Sequence, residues 1–175
     1  KRMEEFLGES YMKEFGMKVA IARPYNCYGP RDNFDPKSSH VIPALIRRIW
    51  KEKERPLKVW GSGNQSRSFL YVKDFARGLI EVCEKYPNGD ALNIGNNEET
   101  TIKDLVNILR DIHNELSGEP FDYTFDTTKP EGQPRRKCDT SKAFEKIGYE
   151  SEWNINAGLR ETVAWYLKSD QFNDN

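Results

Sequence analysis

Short β-branched or apolar runs alternate with longer amphipathic segments along this chain, and that alternation constrains its fold more than any other feature. "MKVAIARP", "LKVW", "SFLYV", "ALNIG" and "FDYTFD" read as strands. Between them, apolar residues recur at helical spacing: Met3, Phe6, Leu7, Tyr11 and Phe15 first, then Val41, Ala44, Leu45 and Ile49. Two further faces, Phe75, Leu79, Ile80, Val82 and Cys83, then Ile102, Leu105, Val106, Leu109 and Ile112, continue the pattern, and "TSKAFEKIGY" and "INAGLRETVAWYL" close it. Strands that alternate with helices predict an α/β fold with parallel strands.

Local signals set the boundaries. Gly16 and Gly148 stop helices, Thr100 or Thr101 caps one, and Ser38 or Ser39 caps the helix that Pro43 opens at its first position. The tail "SDQFNDN" reads as frayed. Residue 1 is Lys, and a helical pattern runs from the first turn with no capping residue before it, so the sequence is expected to be part of a longer chain.

At 175 residues one folding unit is the default. The 27 basic and 28 acidic residues leave a net charge of -1, too small for a field that would attract nucleic acid or a membrane surface, so any anion site is local. No apolar run approaches the ~20 residues that span a bilayer, and the chain reads as soluble and cytoplasmic. Cys27, Cys83 and Cys138 are odd in number and form no C-x-x-C pair, which predicts reduced thiols and no metal site.

The stretch "NFDPKSSHVIPALIRR" carries the chemistry best placed for catalysis. His40 lies at the positive end of a helix, where anions are favoured, and imidazole titrates near ~6.5. It is either a proton-transfer group or a polar residue at a loop-helix junction. Arg47 and Arg48 follow about two turns on, so at least one shares its face, and guanidinium binds phosphate bidentately. In "VWGSGNQSRSFLYV", Gly61 and Gly63 follow a strand, but Ser66 stands where a dinucleotide-binding loop needs its third glycine. The turn instead presents Arg67, beside a Trp60 able to stack on a flat ring. "KPEGQPRRK" adds Lys129, Arg135, Arg136 and Lys137. Converging arginines from three segments suit a pyrophosphate, whereas His113 reads as exposed and idle.

The blocks "RPYNCYGPRDNF", "SSHVIPALIRR", "VWGSGNQSRSFLYVKDFARGL", "LNIGNNEETTIKDL" and "KPEGQPRRKCDTSKAFEKIGY" occur in this order. Together they resemble the carboxyl-terminal half of the extended short-chain dehydrogenase/reductase family of nucleotide-sugar epimerases, dehydratases and reductases, over essentially the whole chain. The resemblance implies the last parallel strands of a Rossmann-type fold plus a small α/β substrate-binding domain, with the amino-terminal dinucleotide-binding half absent. Residues 1–175 are then a single fragment in which the remainder of the dinucleotide fold interleaves with the nucleotide-sugar domain. Within the family, Asn33-Phe34, the His40 block and "KPEGQPRR" most resemble the enzymes that epimerise a GDP-4-keto-6-deoxyhexose and reduce it with NADPH.

That resemblance implies roles residue by residue. Lys1 matches the Lys of the family's Tyr-x-x-x-Lys motif, holding the nicotinamide ribose and lowering the pKa of a Tyr outside this sequence. Pro24, Tyr25, Asn26 and Cys27 border the nicotinamide, with Asn26 also reaching the sugar. His40 matches a general acid beside the cofactor. Arg48, Trp60 and Arg67 match contacts to the nucleotide and its diphosphate, and Asp126, Lys129 and Arg136 lie in a loop that closes over it. The implied cofactor is NADP, with NAD as the alternative, and the implied assembly is a homodimer built through the first helix. Other implied readings are an NAD-dependent UDP-sugar 4-epimerase or decarboxylase, an NDP-sugar dehydratase, and a non-catalytic nucleotide-sugar-binding fragment.

Overall fold

The computed structural model describes residues 1–173. In chain order its first elements are α1 (Arg2–Phe15), β1 (Val19–Pro24), β2 (Cys27–Tyr28), α2 (Val41–Trp50) and β3 (Leu57–Trp60). There follow β4 (Ser66–Arg67), β5 (Leu70–Tyr71), α3 (Val72–Lys85), β6 (Asn88–Ile94), β7 (Thr100–Thr101) and α4 (Ile102–Ser117). The last are β8 (Tyr123–Asp126), β9 (Arg135–Arg136), α5 (Ser141–Ile147), α6 (Ile155–Tyr166) and α7 (Asp170–Asn173). The tail expected to fray thus forms a short helix as far as it is described, and residues 174 and 175 lie outside the described residues.

Two compact units share the chain. The first comprises Lys1–Cys27, Ser68–Glu98 and Lys137–Trp153, and the second Tyr28–Arg67, Glu99–Arg136 and Asn154–Asn175.

In the first unit β1 runs parallel to β6, with Ile21 opposite Ala91 and Pro24 opposite Ile94. Successive strand residues face opposite ways, and both faces are covered. A Cβ at Gly8 of α1 would lie 3.0 Å from the Val19 side chain, so this glycine lets the helix sit close on β1. On the other face Ala20 and Ala22 pack against a cluster of Leu70, Val82, Leu92, Ile94, Ala143, Ile147 and Tyr149. Leu92 and Ile94 of β6 are buried, while Val19 and Ile21 of β1 are half-buried beside α1.

The inward face of α3 differs from the expected one. Asp74, Gly78 and Val82 are buried, whereas Leu79 and Cys83 are exposed and Ile80 is 57% exposed. Gly78 decides this: a Cβ there would come within 2.5 Å of Ile94 and 2.8 Å of Tyr149, so the helix approaches along the glycine. Ile80, two residues on, projects about 200° away around the helix. Asp74 is tolerated inside because its Oδ2 accepts the N–H groups of Glu152 and Trp153, both at 2.9 Å, while its Oδ1 accepts from Arg77 at 2.9 Å.

In the second unit β3 and β8 pair in parallel, with Trp60 opposite Asp126, and β4 lies between β7 and β9. Ile102, Leu105, Val106, Leu109 and Ile112 of α4 are all buried, as their spacing predicts. The Thr101 side chain caps this helix by accepting the Asp104 N–H at 3.0 Å. Phe34 stacks on Tyr166 of α6 with ring centroids 4.2 Å apart. Pro43 is the third residue of α2 rather than the first, which costs nothing because the N–H groups of the first turn have no intrahelical acceptor. His113 is half-buried rather than exposed: its Nδ1 lies 2.8 Å from the Glu119 carbonyl oxygen and its ring packs on Trp50 and Phe121. Among the described residues no helix is long and apolar enough to cross a membrane.

Candidate functional site

The second unit contains a pocket of about 620 Å³ whose lining includes His40, Arg48, Trp60, Gln65, Arg67 and Glu131. His40, Arg48, Trp60 and Arg67 were singled out from separate stretches of sequence, and the fold gathers them around one cavity.

His40 itself is the N-cap of α2, with extended backbone and its carbonyl accepting the Ala44 N–H at 3.0 Å. Neither Ser38 nor Ser39 caps the helix. The Ser38 hydroxyl instead donates to Asp35 Oδ2 at 2.6 Å and accepts from Asn33 Nδ2 at 2.8 Å, so it serves the preceding loop. Arg48, eight residues after His40 and about 80° further round α2, lines the same pocket. Its Nε and Nη2 donate to the Glu54 carboxylate at 2.8 and 3.1 Å, and Nη2 also donates to the Lys58 carbonyl. Arg48, followed by the Lys58 N–H, holds the Glu54 carboxyl below its usual range. One edge of the guanidinium is therefore fixed, which leaves Nη1 as the donor for a ligand. Arg47 turns elsewhere, to Glu52 at 2.8 Å and the Phe34 carbonyl.

At the end of β3, Trp60 is 58% exposed, with Lys129 Nζ 5.9 Å from its ring centroid. Asp126 stands beside Trp60 by strand register, but its Oδ1 accepts from the N–H and hydroxyl of Thr128 at 3.1 and 2.6 Å. The Thr128 hydroxyl, then its N–H, keeps that carboxyl below its usual range, so Asp126 shapes the turn that carries Lys129. Arg67 donates to the Ser66 carbonyl at 2.7 Å, and its register partner across β4 and β9 is Arg136. Arg135, by contrast, is forked onto Glu99.

The glycine turn is a packing device. A Cβ on Gly63, whose φ is +81°, would lie 2.3 Å from the Phe125 ring, and one on Gly61 would meet Gln65 and Glu131 at 3.0 Å. Glu131 and Gln65 line the cavity without having been anticipated. Glu131 reaches across 69 residues to accept the Ser62 N–H at 3.1 Å and the Ser62 hydroxyl. Gln65 is buried, and its Nε2 donates to the Trp60 carbonyl at 3.3 Å. An acidic residue inside a basic loop was the available signal for Glu131, and Gln65 had none.

The remaining candidates belong to the first unit. Lys1 and Pro24 line a shallow groove of about 430 Å³ along β1 and the start of α1. Tyr25 follows β1 and donates its N–H to the Ile94 carbonyl at 3.1 Å. Asn26 turns the chain with φ +42°, and its Nδ2 donates to the Ser68 carbonyl at 3.1 Å, which leaves Oδ1 as its polar atom for a ligand. Cys27 is half-buried. These residues stand at the carboxyl end of a parallel strand, where open α/β sheets bind ligands. Burial, and then the Asp139 carboxylate, push the Cys138 thiol up to about 11, so it is not a nucleophile at neutral pH.

Comparison with known proteins identifies the family and the fold. The sequence model of the NAD dependent epimerase/dehydratase family matches residues 1–95. A probable GDP-L-fucose synthase of Oryza sativa subsp. japonica is 36% identical over 92% of this chain and 48% of its own length. Among solved structures, a GDP-L-fucose synthetase from Naegleria fowleri superimposes with a TM-score of 0.87 at 27% identity, over 98% of this chain and 54% of that one. UDP-glucose 4-epimerase of Thermotoga maritima, solved with UDP-glucose, gives 0.79 at 29% identity, over 96% and 52%. The chain spans about half the length of the curated relatives it matches. The matched fold is the Rossmann-type fold of these enzymes, present here in part, and the chain belongs to the NAD dependent epimerase/dehydratase family.

Proposed function

We propose that this chain is the nucleotide-sugar-binding half of an epimerase-reductase that acts on a GDP-4-keto-6-deoxyhexose with NADPH, as GDP-L-fucose synthases do. The observation that carries this reading is the pocket of the second unit, where an imidazole at a helix N-terminus shares a cavity with two guanidinium groups and an exposed indole. Arg48 and Arg67 grip the diphosphate, Trp60 stacks on a flat ring, and Lys129 and Arg136 add charge from the neighbouring loop and strand. His40 donates a proton to the substrate carbon during epimerisation. The second unit is the sugar-nucleotide domain, and the first is the remainder of the dinucleotide-binding fold.

The residues at the carboxyl end of β1 fit the nicotinamide end of NADP. Lys1 offers an ammonium to ribose hydroxyls, Pro24 and Tyr25 an apolar rim, and Asn26 Oδ1 an acceptor, with Cys27 completing the turn. When bound, that group supplies the hydride. The exposed apolar residues of α1, Met3, Phe6, Leu7, Tyr11 and Phe15, support a homodimer, and a cytoplasmic location suits such an enzyme.

Calorimetric titration of the chain with GDP-mannose and UDP-glucose tests the binding claim. Heat with the GDP sugar and none with the UDP sugar is expected. A preference for UDP-glucose would favour the 4-epimerase reading, which the likeness to the Thermotoga enzyme supports. In the full-length parent, His40→Ala should lower epimerisation by ~10²-fold or more, and unchanged turnover would remove His40 from the mechanism.

A further inference from the structure

We propose that Glu131 reads the base of the bound nucleotide: its carboxylate oxygen Oε2 accepts the adjacent N1–H and 2-amino N–H of a guanine stacked on Trp60, and so selects guanine over uracil. This rests on the nucleotide reading of the pocket and names the residue that sets its preference.

The Glu131 side chain lies against the turn that follows Trp60. A Cβ on Gly61 would come within 3.0 Å of Glu131 Cγ and 3.3 Å of Glu131 Cβ, so the arm rests on the residue next to the exposed indole. The carboxylate is held through one oxygen: Oε1 accepts the Ser62 N–H at 3.1 Å and the Ser62 hydroxyl. Those two bonds, the hydroxyl first, keep the carboxyl below its ordinary value of 4.5, so the group is ionised at neutral pH. Oε2 has no hydrogen-bond partner among the described residues, and Glu131 lines the cavity with Trp60.

The neighbouring donors of this wall are spent inside the protein. The Gly61 N–H goes to the Asp126 carbonyl at 2.9 Å, the Asn64 N–H to the Ser62 hydroxyl at 3.2 Å, and Gln65 Nε2 to the Trp60 carbonyl at 3.3 Å. Gln65 also lines the cavity, is 7% exposed, and its Nε2 lies 3.0 Å from the same Gly61 Cβ position. Its Oε1 is buried without a donor. Beside the indole, then, stand an ionised carboxylate and an unpaired amide oxygen. Such acceptors favour a ligand edge made of donors.

The charge changes sign one residue on. A Cβ on Gly132 would lie 3.6 Å from Arg67 Nη2, and Arg48 lines the same cavity. A donor edge next to an anion is the pattern of a guanine nucleotide. Guanine presents N1–H and its amino N–H side by side, so one oxygen accepts both. Uracil sets its single N–H between two carbonyl oxygens, which the carboxylate repels, and a site built to accept from a ligand N–H strongly rejects an analogue that lacks it.

Calorimetric titration with GDP, inosine diphosphate and UDP tests this. Inosine diphosphate lacks only the 2-amino group, and the unsubstituted chain should bind GDP about tenfold or more tighter than either of the others. Glu131→Gln keeps an acceptor for Ser62 but puts an NH₂ donor in the place of Oε2. GDP should then weaken about tenfold or more, UDP should hold or tighten, and the gap between GDP and inosine diphosphate should close. An equal loss for all three nucleotides in this variant would mean that Glu131 only holds the turn, and overturns the proposal. GDP binding no tighter than inosine diphosphate or UDP in the unsubstituted chain overturns it too, while the nucleotide pocket stands. Heat with none of the three overturns both. Glu131 is exposed, and the comparison of GDP with inosine diphosphate needs no variant, so a folding defect cannot mask the result.

Discussion

Glu131 Oε1 accepts both the backbone N–H and the hydroxyl of Ser62, tying the loop after β8 to the glycine turn after β3. The Ser62 hydroxyl, then its N–H, lowers the Glu131 carboxyl below its ordinary value of 4.5. A lowered carboxyl contributes above its unfolded value and is lost as pH falls through the folded one. The Ser62 amide signal should therefore hold steady at neutral pH and move only below about 4.5. Glu131→Gln should abolish that titration and speed exchange of the Ser62 amide at neutral pH, where the carboxylate is ionised.

Trp60 and Arg67 reach the same pocket from different strands. Replacing either by Ala should weaken GDP-sugar binding without lowering the melting temperature. Loss of an aromatic stack predicts about a two- to tenfold change for Trp60→Ala, and loss of a charged hydrogen bond roughly tenfold or more for Arg67→Ala. Calorimetry with each variant reads this directly.

Asp74 is 1% exposed and joins α3 to residues 152 and 153. Asp74→Ala leaves two backbone N–H groups without their acceptor and removes one acceptor of Arg77, which keeps Glu81 and the Glu150 carbonyl. The expected loss is roughly 3 kcal/mol, visible as an earlier midpoint in urea.

Gly63 and Gly118 both have positive φ, +81° and +76°, but only Gly63 is crowded. Gly118→Ala should cost about 1 kcal/mol from backbone strain alone. Gly63→Ala adds a Cβ against the Phe125 ring and should cost clearly more. Equal melting temperatures for the two variants would contradict the packing role of the turn.

Among the described residues β1 pairs only with β6, so its other edge carries unpaired backbone groups, and the apolar residues of α1 are exposed nearby in sequence. The chain should associate as its concentration rises. Phe6→Lys should shift sedimentation toward the monomer, and a monomer at every concentration in the unsubstituted chain would refute the expectation.

Much of the fold was legible in the sequence because it is written locally. The inward stripe of α4 and its Thr101 cap follow from spacing and one hydroxyl, and Gly16 and Gly148 end their helices in the left-handed conformation that favours glycine. The face of α3 was misread because Gly78, silent in any hydrophobic pattern, sets how closely the helix meets Ile94 and Tyr149. The cap of α2 was misread because Ser38 is drawn into the loop by Asn33 and Asp35. At the candidate site, His40 and the arginines stand out by residue type. The part played by Glu131 arises from a partner 69 positions away and that of Gln65 from burial, which spacing along a chain does not encode.

The two units are threaded through each other in sequence, the chain passing between them after Cys27, Arg67, Glu98, Arg136 and Trp153. A break at residue 98 strips α5 from the first unit and α4 from the second. Neither can be lent to another protein as a contiguous cassette, and an engineer who wishes to exchange the sugar pocket must graft loops and side chains in place. The heritable module is the pair.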